Sequence, residues 1–114
     1  MNIGNNLSSQ VIAMNSNKRQ QLHIAAVFAC NFTNHMFAIA DSILDKSDIN
    51  FKLLLPIINQ TVKKINQNKP SQVQTGPAKR QGQKIIQTHI DNLSNKESRE
   101  IYKLLSNSIM KDND

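Results

Sequence analysis

Backbone-bending residues and positive charge meet in one short stretch. The chain has three glycines and three prolines, and Gly76, Pro77 and Gly82 fall in the run QTGPAKRQG, which also holds Lys79 and Arg80. A Thr-Gly-Pro bend can expose consecutive amides, and the proline suits the first turn of a helix. Amides beside an arginine fork bind carboxylate or phosphate. The stretch predicts either an anion site or an ordinary bend between helices, and its residues alone favour the bend.

Polar side chains interrupt a long apolar segment upstream of this stretch. At about 100° per residue, His23, Cys30 and Asn34 align on one strip of a helix, and Asn31 lies close to it. Polar groups on a buried face are hydrogen-bonded or functional. His23 and Asn31 are therefore candidates for chemistry, although a structural role in a core or dimer interface is the reading that these residues alone favour.

The remaining polar residues give no catalytic or metal-binding pattern. His89 lies on the apolar face of a predicted helix, as structural histidines do. The single Cys30 lacks the paired ligands that a zinc site needs, and its apolar neighbours predict a buried residue. No Gly-x-Gly-x-x-Gly, phosphate-binding loop or nucleophile elbow occurs. The chain alone is not expected to hold a dinucleotide.

Composition predicts one helical domain with an aliphatic core. The chain has 114 residues, of which 39% are apolar and only 4% aromatic. The net charge of +6 raises the question of nucleic acid. The cations are scattered, however, and no aromatic residues alternate with them as base-stacking platforms. We therefore expect no nucleic-acid binding, and a weakly basic face suits a phosphorylated ligand equally well.

Cysteine usage and hydropathy indicate a cytoplasmic protein. One cysteine excludes an internal disulfide framework. No stretch of 18 uncharged apolar residues and no signal peptide is recognisable. We expect no membrane association.

The periodicity of apolar residues predicts an all-α bundle around one long central helix. A run of strand length at 10–14 has no partner strand in such a chain. Asn15 or Ser16 caps the long helix, and Asn50 caps the next, where Pro56 is expected to cause a kink. Ser94 and Glu97 form a capping box for the last helix. The predicted elements in order are the long helix of about 29 residues, the helix after Asn50, one turn at 71–74, a helix over 83–93 and the last helix.

Three runs together resemble the C-terminal helical domain of a known family, domain of unknown function 2520. They are LHIAAVFACNFTNHMFAIAD, FKLLLPIINQTVKKI and QTGPAKRQGQKIIQTHIDNL. The resemblance covers about Ser9 to Ile109. It rests on the His-Ile-Ala-Ala-Val-Phe-Ala start, the Leu-Leu-Leu-Pro helix and the Thr-Gly-Pro-x-x-Arg turn followed by His89.

The resemblance implies a part of a reductase. Members of this family look like NAD(P)- or deazaflavin-dependent reductases, with a helical domain similar to the C-terminal domain of 6-phosphogluconate dehydrogenase. Such domains form a homodimer and close over a Rossmann domain, with the substrate between. Residues 1–15 would then be the last strand and exit of that upstream domain, 16–110 the helical dimerisation and substrate domain, and 111–114 a frayed tail. This chain alone would hold no cofactor, and NADP or NAD is implied for the full-length protein.

The resemblance also assigns site residues. His23 and Asn31 are the catalytic candidates, and His89 would support the site from behind. A small anionic substrate or a cofactor phosphate would bind at Thr75, Gly76, Pro77 and Arg80. Hydroxyacid dehydrogenase relatives carry a lysine four residues before the asparagine, where this chain has Val27. Their mechanism is therefore not implied.

A different class of function is also compatible with the sequence. The chain could act as a stand-alone helical protein-interaction module with no catalytic role. A Gly-x-Gly-x-x-Gly motif after a strand in the neighbouring sequence would favour the reductase.

Overall fold

The described part of the chain is entirely helical in its regular structure. A computed structural model describes residues 14–112. The all-α prediction is confirmed over this range. The strand predicted at 10–14 lies outside it except for Met14, and the segment predicted at 1–15 overlaps it only at Met14 and Asn15. The four main helices are α1 (Ser16–Asp45), α2 (Leu55–Ile65), α3 (Gln83–Asn92) and α4 (Lys96–Asp112), with short 3₁₀ turns at Phe51–Leu54 and Pro70–Gln72.

Helix α1 begins at the predicted cap. The Asn15 side chain accepts a hydrogen bond from the Lys18 amide at 2.8 Å. The Arg19 Nε atom donates to the Met14 carbonyl at 3.1 Å. The cap satisfies one of the amides that every helix leaves open at its N-terminus.

The middle of α1 is a π-helix. The α-helical segments Ser16–Ala26 and Thr33–Asp45 flank a π segment at Val27–Phe32. Just after it, the Thr33 hydroxyl donates to the carbonyl of Phe28 at 3.3 Å. A π-helix advances by a smaller angle per residue than an α-helix because its hydrogen bonds span five residues. The predicted alignment of His23, Cys30 and Asn34, which assumed α geometry throughout, therefore does not hold.

Helix α2 accommodates Pro56 without interrupting a helix. The Asn50 side chain accepts from the Lys52 amide at 2.9 Å and starts the 3₁₀ turn. The α-helix begins only at Leu55, so Pro56 lies in its first turn. The amide that proline lacks has no intrahelical partner at this position. The expectation of a kink at Pro56 past the first turn is therefore wrong.

The chain divides into two compact units, Met1–Ala40 and Asp41–Asp114. In the second unit α3 and α4 pack together around a small core. Ala78, Ile86 and Ile90 are each 6% exposed. Tyr102, Ile109 and Met110 of α4 pack against this core. The turn that contains Ala78 is thereby anchored to both helices.

Helix α4 is capped by Asn95. The Asn95 side chain accepts from the Ser98 amide at 2.9 Å. Ser94 instead accepts from the Lys46 ammonium group at 2.7 Å. The predicted capping box at Ser94 and Glu97 is thus wrong by one residue at its start. Of the predicted tail at 111–114, Lys111 and Asp112 belong to α4, and the last two residues lie outside the described range.

The first unit exposes most of its apolar surface. Among the described residues, none in either α-helical segment of α1 or in its π segment is buried. By length and composition α1 could cross a membrane, in contrast to the expectation from the sequence. One such helix is weak evidence, because the core helix of a soluble protein meets the same criteria.

Candidate functional site

The predicted anion-binding stretch folds into a closed turn. Gly76 has φ of 99°, a conformation that favours glycine. Its carbonyl accepts from the Arg80 amide at 3.3 Å, and the Pro77 carbonyl accepts from the Gly82 amide at 2.8 Å. Ala78, at the centre of the turn, is buried in the core between α3 and α4. These bonds fix the backbone from which Arg80 projects.

The polar groups of this turn face outward. Thr75 and Arg80 are exposed, and Gly76 and Pro77 are half-buried. Within residues 14–112 the Arg80 guanidinium makes no hydrogen bond or ion pair. In the same range the amides of Thr75 and Gly76 donate no hydrogen bond. Guanidinium groups and open backbone amides are the donors that bind carboxylate or phosphate groups in proteins.

A shallow depression lies beside the turn. It has a volume of about 370 Å³ and is lined by Gln81, Asn107, Met110 and Lys111. Gln81 adopts φ of 55°, which is uncommon for a residue other than glycine. The depression forms where the turn meets the C-terminal end of α4. No local sequence pattern predicts this contact. The sequence analysis missed these lining residues.

His89 is paired with the chain's one tyrosine. The His89 Nδ1 atom lies 2.8 Å from the Tyr102 hydroxyl, and the rings meet edge to face with centroids 5.8 Å apart. His89 is exposed, whereas Tyr102 is half-buried. Burial raises the pKa of the Tyr102 hydroxyl above its usual value. The contact orients the imidazole ring through Nδ1, so His89 has a defined structural partner.

The catalytic candidates of α1 are exposed. His23 lies in the first α-helical segment and Asn31 in the π segment. Both were predicted on a buried face, yet both are exposed in the single chain, and so is Cys30. His23 and Asn31 belong to the first unit, whereas Thr75, Arg80 and His89 belong to the second.

Exposed apolar side chains form two linear features. The α2 seam consists of Leu55, Ile58, Val62 and Ile65, and three of these are 41–51% exposed while Ile58 is half-buried. The α1 stripe consists of Ile24, Phe28 and Phe32, which are 44–65% exposed. The rings of Phe28 and Phe32 meet edge to face at 5.1 Å.

The apolar surface on and before α2 has a large free energy of burial. Leu53 and Ile57 lie outside the seam and are 69% and 65% exposed. Together with Leu55, Val62 and Ile65 they amount to between two and three fully exposed side chains. Removing this area from water would contribute roughly 5 kcal/mol for each copy of the chain. Large exposed apolar patches are uncommon on monomeric soluble proteins and often mark interaction sites.

Two comparisons with known proteins bear on this geometry. The family model described as domain of unknown function 2520 matches residues 1–109. The crystal structure of a putative NADP oxidoreductase from Bacteroides fragilis superposes with a TM-score of 0.82 at 41% sequence identity. The matched region covers 86% of this chain but only 38% of the Bacteroides chain. The fold is thus shared with part of a longer protein, in agreement with the predicted likeness to a C-terminal helical domain.

No curated protein matches the chain significantly.

Proposed function

Because the chain belongs to the family of domain of unknown function 2520, we propose that it is the helical part of an NADP-dependent oxidoreductase. In this role it forms a homodimer through α1 and supplies one wall of the substrate cleft, opposite a Rossmann domain. The proposal rests on one observation. This chain is 41% identical to a putative NADP oxidoreductase and covers 38% of that protein's chain. A cytoplasmic location is part of the proposal.

The chain does not hold the dinucleotide by itself. Its three glycines form no Gly-x-Gly-x-x-Gly motif, and such a motif is what lets a backbone approach a pyrophosphate. Among the residues that the structure describes, the turn at 75–80 suits a phosphate of the cofactor. Hydride chemistry would be supplied by NADP on the companion domain, and the isolated chain has no oxidoreductase activity.

Arg80 and the amides of Thr75 and Gly76 bind the anionic group. This assignment is supported by the anchored turn, by the open amides and by a guanidinium that has no other partner within residues 14–112. The ligand is a small anionic substrate or the phosphate of the cofactor. Carboxylate and phosphate groups both accept paired hydrogen bonds from a guanidinium.

His23 and Asn31 orient the reacting group. Their exposure in the single chain is compatible with a cleft that closes only when the companion domain is present. Asn31 lies in a π segment, and such segments occur frequently at functional sites. His89, held by Tyr102, supports the anion-binding turn within the second unit. Val27 stands where hydroxyacid dehydrogenases have a lysine, so no proton transfer is assigned to that position.

A chimera tests the proposal. The part of the Bacteroides protein that this chain does not match would be joined ahead of residue 16, and binding of NADPH and of inorganic phosphate would be measured by calorimetry. We expect the chimera to bind NADPH and the isolated chain not to. Replacing Arg80 by alanine removes a charge-assisted hydrogen bond and should weaken phosphate binding about 10- to 100-fold.

The matched control is Lys79→Ala, which removes the same charge from the same turn. Arg80→Ala must weaken phosphate binding far more than Lys79→Ala. Equal affinities in the two variants would refute the anion role of Arg80. A chimera that does not bind NADPH would refute the oxidoreductase assignment.

A stand-alone interaction module is the second candidate function. The observation that favours it is the exposure of large apolar side chains on α1, α2 and α4. This candidate predicts that the chimera binds NADPH and phosphate no more tightly than the unmatched Bacteroides part alone, which the same calorimetry measures.

A further inference from the structure

The depression beside the turn at 75–82 gathers polar groups that the fold itself does not use. It is lined by two side-chain amides, an ammonium group and a thioether, from Gln81, Asn107, Lys111 and Met110. Within residues 14–112 the side chains of Gln81, Asn107 and Lys111 make no hydrogen bond or ion pair. All four lining residues belong to the second unit, as does Arg80. The walls of the depression therefore come from that unit alone.

The backbone of Gln81 is strained where the turn does not require a glutamine. Its φ of 55° carries a steric penalty for a residue with a Cβ atom, and glycine adopts it without one. The next residue is Gly82, whose φ of −80° demands no glycine. Residues held in sparsely populated backbone conformations cluster at ligand-binding and active sites. A glycine at position 81 would relieve the strain but would lack the amide that lines the depression.

Met110 gives the depression a fixed apolar patch. The Gln83 side-chain amide donates a hydrogen bond to the Met110 sulfur atom at 3.5 Å. Met110 also packs against the core between α3 and α4. The volume of about 370 Å³ lies near the lower end of the range of about 300–1,000 Å³ that is typical of small-molecule sites. Such sites combine apolar surface with a few polar groups.

The charges around the depression favour an anionic ligand. The turn and most of α3, residues 74–90, carry three cations and no acidic residue. The second half of α4, residues 101–112, adds two lysines and one aspartate. These charged residues are Lys79, Arg80, Lys84, Lys103, Lys111 and Asp112. Five positive charges thus stand against one negative charge, and Lys111 itself lines the depression.

We propose that the depression and Arg80 form one composite site for a small anionic molecule whose body carries hydroxyl or amide groups. The anionic group lies on Arg80, as in the proposed function on which this inference rests. Arg80 and Gln81 are consecutive, so their Cα atoms are about 3.8 Å apart and one small molecule can span both residues. The amides of Gln81 and Asn107 recognise the body of the ligand, because amides donate and accept hydrogen bonds as hydroxyl groups do.

Two ligands with the same anionic group and different bodies test the composite site. The 114-residue chain would be titrated in NMR experiments with glycerol 1-phosphate, with phenyl phosphate and with inorganic phosphate as the reference. Only glycerol 1-phosphate offers hydroxyl groups to Gln81 and Asn107. We expect it to bind at least about 10-fold more tightly than phenyl phosphate, because two hydrogen bonds distinguish the two complexes. The side-chain amide signals of Gln81 and Asn107 should shift on its addition.

Two variants remove the recognising amides and preserve the fold. Gln81→Gly relieves backbone strain and should not lower the urea midpoint, and Asn107→Ala truncates an exposed side chain. Each should reduce the preference for glycerol 1-phosphate over phenyl phosphate about 3- to 10-fold and leave the affinity for inorganic phosphate unchanged. Asn59→Ala is the matched control, since it removes the same amide from an exposed position of α2. It should retain the wild-type preference.

The composite site and the anion role of Arg80 can fail separately. Equal affinities for the two esters, or an unchanged preference in both variants, would overturn the composite site and leave phosphate binding by Arg80 intact. Binding of inorganic phosphate but of neither ester would overturn it as well. Arg80→Ala should weaken binding of all three compounds alike. If it does not, the anion role in the proposed function is refuted, even where the preference depends on Asn107.

Discussion

At the scale of single residues, the turn at 75–82 contains two glycines whose backbone conformations differ. Gly76 has φ of 99° and Gln81 has φ of 55°, whereas Gly82 has φ of −80°. A residue with a Cβ atom pays a steric penalty in the first two conformations and none in the third. One glycine is thus required by the backbone, and the other is not.

Replacing Gly76 by alanine should destabilise the fold by about 1–2 kcal/mol. No atom lies within 4 Å of the added methyl group, so the cost is backbone strain and not a clash. Gly82→Ala is the matched control, because its methyl group would meet the Pro77 carbonyl oxygen at an ordinary 3.6 Å. Urea unfolding should show the control to be neutral or more stable by about 0.4–1 kcal/mol. Equal losses in both variants would contradict this assignment.

The Tyr102 hydroxyl should make stability depend on alkaline pH. Its pKa in the folded chain is raised by burial above the unfolded value of about 10. The folded state therefore holds the proton more tightly, and this contribution is complete below about pH 10 and is lost as the pH rises through the folded pKa. Tyr102→Phe removes the hydrogen bond to His89 and should lower the free energy of unfolding by about 0.5–1.5 kcal/mol at neutral pH. Above pH 10 its urea midpoint should fall less steeply than that of the wild-type chain. Parallel pH profiles would contradict this.

The residues that sequence predicted correctly are those with local partners. Asn15 and Asn50 bond to amides two or three residues away, which a capping preference anticipates. Tyr102 pairs with His89 across 13 residues, and the depression joins Gln81 to Asn107. Nothing in the local pattern encodes such pairs, because they depend on how α3 and α4 pack.

At the scale of elements, the neighbouring residues Ser94 and Asn95 at the start of α4 have different roles. Asn95→Ala should cost about 1 kcal/mol, since the Ser98 amide loses its acceptor at the helix N-terminus. Ser94→Ala should cost less than half as much, because Ser94 bonds only to an exposed lysine. Urea midpoints and helix content of the two variants measure the difference. The reverse order of costs would restore Ser94 as the cap.

The π segment shows where helical periodicity fails as a guide. Counting residues at a constant angle predicted the extent of α1 correctly but misplaced side chains relative to each other beyond Val27. The sequence predicts this helix because a run of thirty residues without glycine or proline favours helix formation. The local change of hydrogen-bonding register depends on packing that the pattern does not contain.

At the scale of the whole molecule, the described chain buries little relative to its apolar content. Its core comprises Ala78, Ile86 and Ile90, with part of α4 packed against them. The sequence predicted an aliphatic helical core, and apolar residues do recur at helical spacing on α1 and α2. Most of those side chains remain exposed in one copy. Composition fixes how much apolar surface exists, but not whether the covering surface comes from the same chain.

Thermal stability should therefore depend on protein concentration. If folding and dimerisation are coupled, a tenfold rise in concentration adds about 1.4 kcal/mol to the free energy of unfolding of the dimer. For a dimer of two 114-residue chains, this corresponds to a rise in Tm of roughly 3–6 °C. Circular dichroism melts over a hundredfold range of concentration measure it, with Gln60→Asp as a variant that should show the same slope. A Tm independent of concentration would mean that one copy folds alone, because mass action leaves the midpoint of a monomer unchanged.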